Sequence, residues 1–205
     1  MLSLISDYKR RIASKFYLMN LLLILTPLCH AQAILTKSGS SFPMFNSSDL
    51  SAWLKSGNAN WHVNGLEVVA NQGKGMLISK FGVPDLQLDF DYWMGENTQA
   101  TIFIRCINTS AIAPDTAYEV RLSNALQLSG GAGSIINLLK MNPSMVANQW
   151  NHIQVSAIGA QISVTLNGVT GTVVDSRFAA GPIALNYQGG DLRLKNFNFT
   201  IPGRW

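Results

Sequence analysis

Gln161-Ile162-Ser163-Val164-Thr165-Leu166 alternates polar and apolar residues and runs into Asn167-Gly168. Period-two alternation places one face of an extended strand in oil and the other in water. Asn-Gly supplies the two positive-φ positions of a tight hairpin. The same alternation recurs at Leu86-Gln87-Leu88-Asp89-Phe90-Asp91-Tyr92. Working outward, strand-like runs occupy 65–70, 75–79, 100–107, 117–123, 134–139, 150–157, 183–187 and 191–201, with Gly, Asn, Pro and Ser between them. No long segment carries helical periodicity. Ten or more short strands without an internal repeat imply an all-β domain, a sandwich of two antiparallel sheets. Leu192 and Leu194 keep one parity and Phe197, Phe199 and Ile201 the other, so a bulge is expected near Lys195-Asn196.

Ahead of this domain, residues 1–33 read as an export signal: Lys9-Arg10-Arg11 and Lys15, an apolar run from Phe16 to Cys29, then Ala31-Gln32-Ala33 as a cleavage site. The run is too short to cross a bilayer as a helix, so no stable membrane span is expected after cleavage. The expected organisation is a leader over 1–33 and one domain over 34–205, exported to the periplasm or beyond. Four of the 15 basic residues and one of the 11 acidic ones lie in the leader, leaving 11 against 10 in the domain. That balance excludes an electrostatic nucleic-acid footprint. With Cys29 removed, Cys106 is the remaining thiol, and its apolar surroundings (Ile102 to Ile107) suit a buried hydrophobe rather than a nucleophile.

Parity also sorts the polar residues. Tyr118, Val120 and Leu122 share one face, leaving Glu119 and Arg121 on the other. Ile153 and Val155 turn Trp150, His152 and Gln154 outward, and Ile102, Ile104 and Cys106 put Arg105 opposite the core beside Thr101 and Phe103. These outward residues suit either an ordinary solvated strand face or a carbohydrate groove. Asp89 and Asp91 share a face, as solvated positions do. His62 and His152 have no histidine or cysteine at metal-ligand spacing, and the glycines of 129–134 lack the Lys-Ser or Lys-Thr of a phosphate cradle.

The ordered set Phe45-Asn46-Ser47-Ser48-Asp49-Leu50-Ser51-Ala52-Trp53, Trp61-His62-Val63-Asn64-Gly65-Leu66, Ile102-Phe103-Ile104-Arg105, Tyr118-Glu119-Val120, Gln149-Trp150-Asn151, Leu166-Asn167-Gly168-Val169, Gly181-Pro182-Ile183-Ala184-Leu185 and Leu194-Lys195-Asn196-Phe197 resembles the 3-keto-disaccharide hydrolases from about Phe42 to Ile201. The resemblance implies a concanavalin-like jelly roll and cleavage of glycosides oxidised at carbon 3. It also implies Glu119 as base or metal ligand, with Arg105 as its electrostatic partner or, alternatively, as one half of a structural ion pair with Glu119. Arg121, Trp150, His152, Tyr187 and Gln188 are the expected substrate contacts. The partner implied is an oxidised disaccharide or glycoside; no cofactor is specified beyond a possible divalent metal, and no oligomeric state is implied. Gln188 stands where family members commonly carry histidine, Arg121 where they carry glutamine and Ile136 where tyrosine is common. A glutamine cannot shuttle a proton at neutral pH, so the same resemblance also admits a carbohydrate-binding module.

Overall fold

Alternation translates directly into the centre of the larger sheet. Leu86, Leu88, Phe90, Tyr92 and Met94 are all buried, whereas Gln87, Asp89, Asp91 and Trp93 between them are exposed or half-buried. A computed structural model describes residues 39–45, 49–123, 130–142 and 145–203. They form thirteen strands in two antiparallel sheets. The eight-stranded sheet runs β11 (Val169–Val174), β10 (Gln161–Leu166), β9 (Trp150–Ile158), β6 (Leu86–Met94), β13 (Leu192–Ile201), β4 (Glu67–Ala70) and β3 (Trp61–Asn64), with β1 (Ser40–Pro43) also paired to β13. The five-stranded sheet runs β2 (Trp53–Gly57), β5 (Gly75–Val83), β12 (Gly181–Tyr187), β7 (Ala100–Ile104) and β8 (Tyr118–Arg121). This is the expected two-sheet sandwich. Among the described residues no helix is long and apolar enough to cross a membrane. The leader expected over 1–33 lies outside the described residues.

The Asn-Gly turn forms as expected. Leu166 pairs with Val169, and Asn167 (φ 48°) and Gly168 (φ 85°) take the two left-handed positions between them. The bulge is present too. The β13–β6 register shifts between Lys195 and Asn198, with Asn196 at φ 52°, and this lets Leu192 and Leu194 and then Phe197 and Phe199 all face inward. Phe197 stacks on Phe90 at 4.4 Å and meets the edge of Trp53, which joins the two sheets. Tyr92 adds a polar link by donating across the core to the Leu122 carbonyl at 3.1 Å.

Two strand boundaries differ from the expectation. The 134–139 run is a turn rather than a strand, held by the isolated bridges Val120↔Ile135 and Ile135↔Leu139 with Asn137 at φ 62°. The 100–107 run stops at Ile104 because Arg105 adopts φ 54°, outside the extended region. Conversely β1, β2, β3 and β11 were not marked by alternation. The burial of β2 is confined to Trp53, and Gly171 interrupts the pattern of β11.

Asn151 ties two of the motifs together. Its side-chain oxygen accepts from the Val146 amide and from Asn167 Nδ2, each at 2.9 Å, and its own Nδ2 donates to the Val146 and Gln149 carbonyls. The side chain is buried, so Asn151→Leu strands these partners and is expected to cost about 2–3 kcal/mol. Urea denaturation checks this: the midpoint falls while the slope with denaturant stays the same.

Candidate functional site

The register of the smaller sheet aligns two rows on its outer face. Asn186 pairs with Thr101, and Thr101 with Arg121, while Ala184 pairs with Phe103, and Phe103 with Glu119. The rows differ in character. Phe103 and Ala184 join Ile78, Cys106 and Ala117 in a small second core, with Ile112 and Met76 packed on it. Burial there pushes the Cys106 thiol up to about 12, in keeping with an inert hydrophobe. Beside this apolar half lies a hollow of about 160 Å³ whose polar lining includes Gln99, Thr101, Glu119, Arg121, Asn186 and Gln188. Its size is below the roughly 300–1,000 Å³ typical of ligand-enclosing pockets, so it suits one ring of a ligand with the remainder in the open.

Glu119 is half-buried, and burial raises its carboxyl above the usual carboxylate range. A hydrogen bond from Thr101 and the positive charge of Arg121 pull it back without cancelling that rise. Gln188 Nε2 donates to Asn186 Oδ1 at 2.7 Å, and Asn186 Nδ2 donates to Thr101 Oγ1 at 3.4 Å. The hollow therefore holds one carboxylate, one guanidinium and a set of neutral hydrogen-bonding groups. Among the described residues no three His, Cys, Asp or Glu side chains gather as a metal site.

The structure unites Glu119, Arg121 and Gln188 and separates the other expected site residues from them. Arg105 is only 1% exposed. Its guanidinium donates to the Pro84 carbonyl at 2.7 Å and the Phe178 carbonyl at 3.3 Å, and lies 3.6 Å from Asp85. It neither lines the hollow nor pairs with Glu119. The outward parity expected for it fails because the chain has already left the strand at that residue. Asp85 also accepts from the Gly159 amide, so the Arg105 cluster joins the β5–β6, β9–β10 and β11–β12 connections.

Tyr187 faces the interior, against the edge of Trp61, with its hydroxyl donating to the Gly190 carbonyl. Parity along β12 explains the correction: Asn186 and Gln188 point outward, and Tyr187 between them cannot. Trp150 and His152 do face away from the core, but on the eight-stranded sheet, the opposite side of the sandwich from Glu119. Lys195 Nζ sits 3.9 Å from the centre of the Trp150 ring. Arg193, held by two contacts of 2.7 and 2.8 Å to Glu67, lies 5.2 Å from it. His152 Nδ1 is 2.9 Å from Asp91. Burial works to raise the Asp91 carboxyl, but hydrogen bonds from His152 and Asn196 and the nearby charges of His152 and Lys195 lower it overall. Gln99, Thr101, Ser123 and Asn186 also line the hollow, though motif reading did not assign them to the site; for Thr101 and Asn186, their parity with Phe103 and Ala184 was the available signal.

A family model described as a 3-keto-alpha-glucoside-1,2-lyase-like domain matches residues 41–200. Among curated proteins none matches the sequence. Among solved structures, a putative glycosyl hydrolase from Parabacteroides distasonis is similar at 18% identity over 78% of this chain and 98% of that one, with a TM-score of 0.66. A second putative glycosyl hydrolase from the same organism aligns at 13% identity over 79% and 93%, with a TM-score of 0.65. A carbohydrate-binding module from Bacillus subtilis aligns at 14% identity over 72% and 95%, with a TM-score of 0.57. These likenesses establish the concanavalin-like jelly roll, an architecture shared by cutting and non-cutting proteins.

Two stability measurements separate scaffold from site. Arg105→Met removes buried donors to two connections and leaves Asp85 without its cation, and is expected to cost about 3–5 kcal/mol, whereas Arg121→Met at the half-exposed hollow costs no more than about 1 kcal/mol. Glu119 gives a pH signature. Its folded pKa lies above the ordinary 4.5, so its contribution to stability is complete below 4.5 and is lost as the pH rises through the folded value. Glu119→Gln should therefore match the wild type in acid and exceed it at neutral pH, which thermal unfolding between pH 4 and 8 checks.

Proposed function

The chain belongs to the 3-keto-alpha-glucoside-1,2-lyase-like family, and from that premise we propose that it cleaves glycosides whose sugar carries a ketone at carbon 3, with Glu119 as the base and Arg121 as the electrostatic partner. One observation carries the assignment: Glu119 and Arg121 line the same hollow, and Glu119 is the one side chain of that lining able to accept a proton near neutral pH. A ketone at carbon 3 acidifies the carbon 2 proton. Glu119 takes that proton, and the electron pair of the broken C–H bond becomes an enolate whose negative oxygen is stabilised by Arg121. The enolate then forms the carbon 1–carbon 2 double bond as the carbon 1–oxygen bond breaks, and the leaving oxygen takes up the proton that Glu119 removed, which returns the carboxylate. Water adding across the enone restores a 3-keto sugar. Arg121 takes the part that the resemblance assigned to Arg105, which is buried with its Nε and Nη1 on backbone carbonyls and its Nη2 beside Asp85. The leader expected over 1–33 would place this activity outside the cytoplasm.

A second reading rests on Gln188. With glutamine in place of the family's common histidine, the same hollow would hold a sugar by hydrogen bonds without cutting it.

The experiment is incubation of the purified protein with a 3-keto-disaccharide, with and without divalent metals, following monosaccharide release. The expected result is release that falls at least about 100-fold in Glu119→Gln, with a rate that rises with pH as the Glu119 carboxyl ionises. Release untouched by Glu119→Gln would remove the assignment. No release by the wild type, together with sugar binding that survives Glu119→Gln, would favour the second reading.

A further inference from the structure

We propose that Thr101 is a positioning residue for Glu119, its hydroxyl turned onto the carboxylate by the Asn186 amide so that Glu119 is held as a proton acceptor. The inference rests on the reading of Glu119 as the base, although its test below does not require substrate. β7 places Thr101 between β8 and β12, directly opposite Arg121 on one side and Asn186 on the other. A threonine hydroxyl has one hydrogen to give and lone pairs to receive with. Asn186 Nδ2 donates to Thr101 Oγ1 at 3.4 Å, while an ionised Glu119 can only accept. The hydroxyl hydrogen therefore goes to the carboxylate.

The orientation of Asn186 is set in turn. Its Oδ1 accepts from Gln188 Nε2 at 2.7 Å, and the Gln188 backbone amide is fixed by the Gln99 carbonyl at 2.9 Å. Turning the Asn186 amide alone would set its NH₂ against that of Gln188. Donors thus run in one direction, from Gln188 through Asn186 and Thr101 to Glu119, and such a chain polarises toward the charge at its end. Gln188 acts on the base through this relay, a role that histidine is not needed to fill. The charged groups that share the hollow are Glu119 and Arg121. β7 and β12 contribute Gln99, Thr101, Asn186 and Gln188, none of which titrates near neutrality. The 130–142 segment meets Glu119 through the backbone, where the Ile136 amide donates to its carbonyl.

The experiment is titration of the Glu119 carboxyl carbon by NMR in the wild type, Thr101→Val, Thr101→Ser and Asn186→Ala. In Thr101→Val, which keeps the shape and loses the hydroxyl, the midpoint is expected to rise by roughly one pH unit. Thr101→Ser should restore it to within a few tenths of a pH unit, and Asn186→Ala should give a partial rise. Where a substrate is turned over, the acid limb of the rate profile should move with the Thr101→Val midpoint. An unchanged midpoint in Asn186→Ala or Thr101→Val, or a rise in Thr101→Ser equal to that in Thr101→Val, overturns the proposal. Should Thr101→Val fail to fold, the serine and Asn186 variants decide it. Shifted midpoints with no cleavage of any 3-keto substrate would leave the relay standing and remove the catalytic reading.

Discussion

The pleat of β7, β8 and β12 is the constraint on which the site depends. Ile102, Ile104, Tyr118, Val120, Ile183, Leu185 and Tyr187 fill the space between the sheets and are almost wholly buried. A slip of one residue would expose that entire set, so the register is strongly held. Once it is held, the intervening residues have no freedom to choose neighbours. Thr101 must lie between Asn186 and Arg121, and Glu119 beside Phe103. The polar hollow is the outer face of a register chosen by the oily one.

Several motif residues turn out to serve this scaffold instead of the chemistry. Phe45 stacks on Trp53, whose indole nitrogen donates to the Met44 carbonyl, and Phe197 meets both rings. Asn151 and Asn167 fasten the start of β9 to the β10–β11 turn. Arg105, the residue most readily taken for a site arginine, gathers three connections at one end of the sandwich. Its positive φ and burial belong together: leaving the extended region at that point turns the side chain off the sheet face and in among backbone carbonyls.

Glu119 shows the opposite economy. Burial beside an apolar cluster destabilises its ionised form, and the neighbours offset this only in part. A residue placed there solely for stability would serve better uncharged. The same tension raises its proton affinity, which is what a base acting near neutral pH requires. The neutral donors around it moderate the penalty without adding a second titrating group.

Much of the architecture was written in local patterns. The alternation of β6 and β10, the Asn167-Gly168 hairpin and the parity slip in β13 each specify their own geometry, because they depend on residues only a few positions apart. Glu119 and Arg121 could likewise be assigned to outward positions from their own strand. What the tertiary structure alone decided is which outward positions share a sheet. Trp150 and His152 have the same parity as Glu119 relative to the core, yet β9 and β8 belong to opposite layers, and strand pairing across a long separation in sequence leaves no local trace. The departure of Arg105 from the strand and the turn at 134–139 were hidden for a related reason. Each contains a left-handed residue, Arg105 or Asn137. Asparagine tolerates that conformation, but in a strand-like run it does not announce a turn, and arginine gives no sign of it at all, being held by carbonyls distant in sequence.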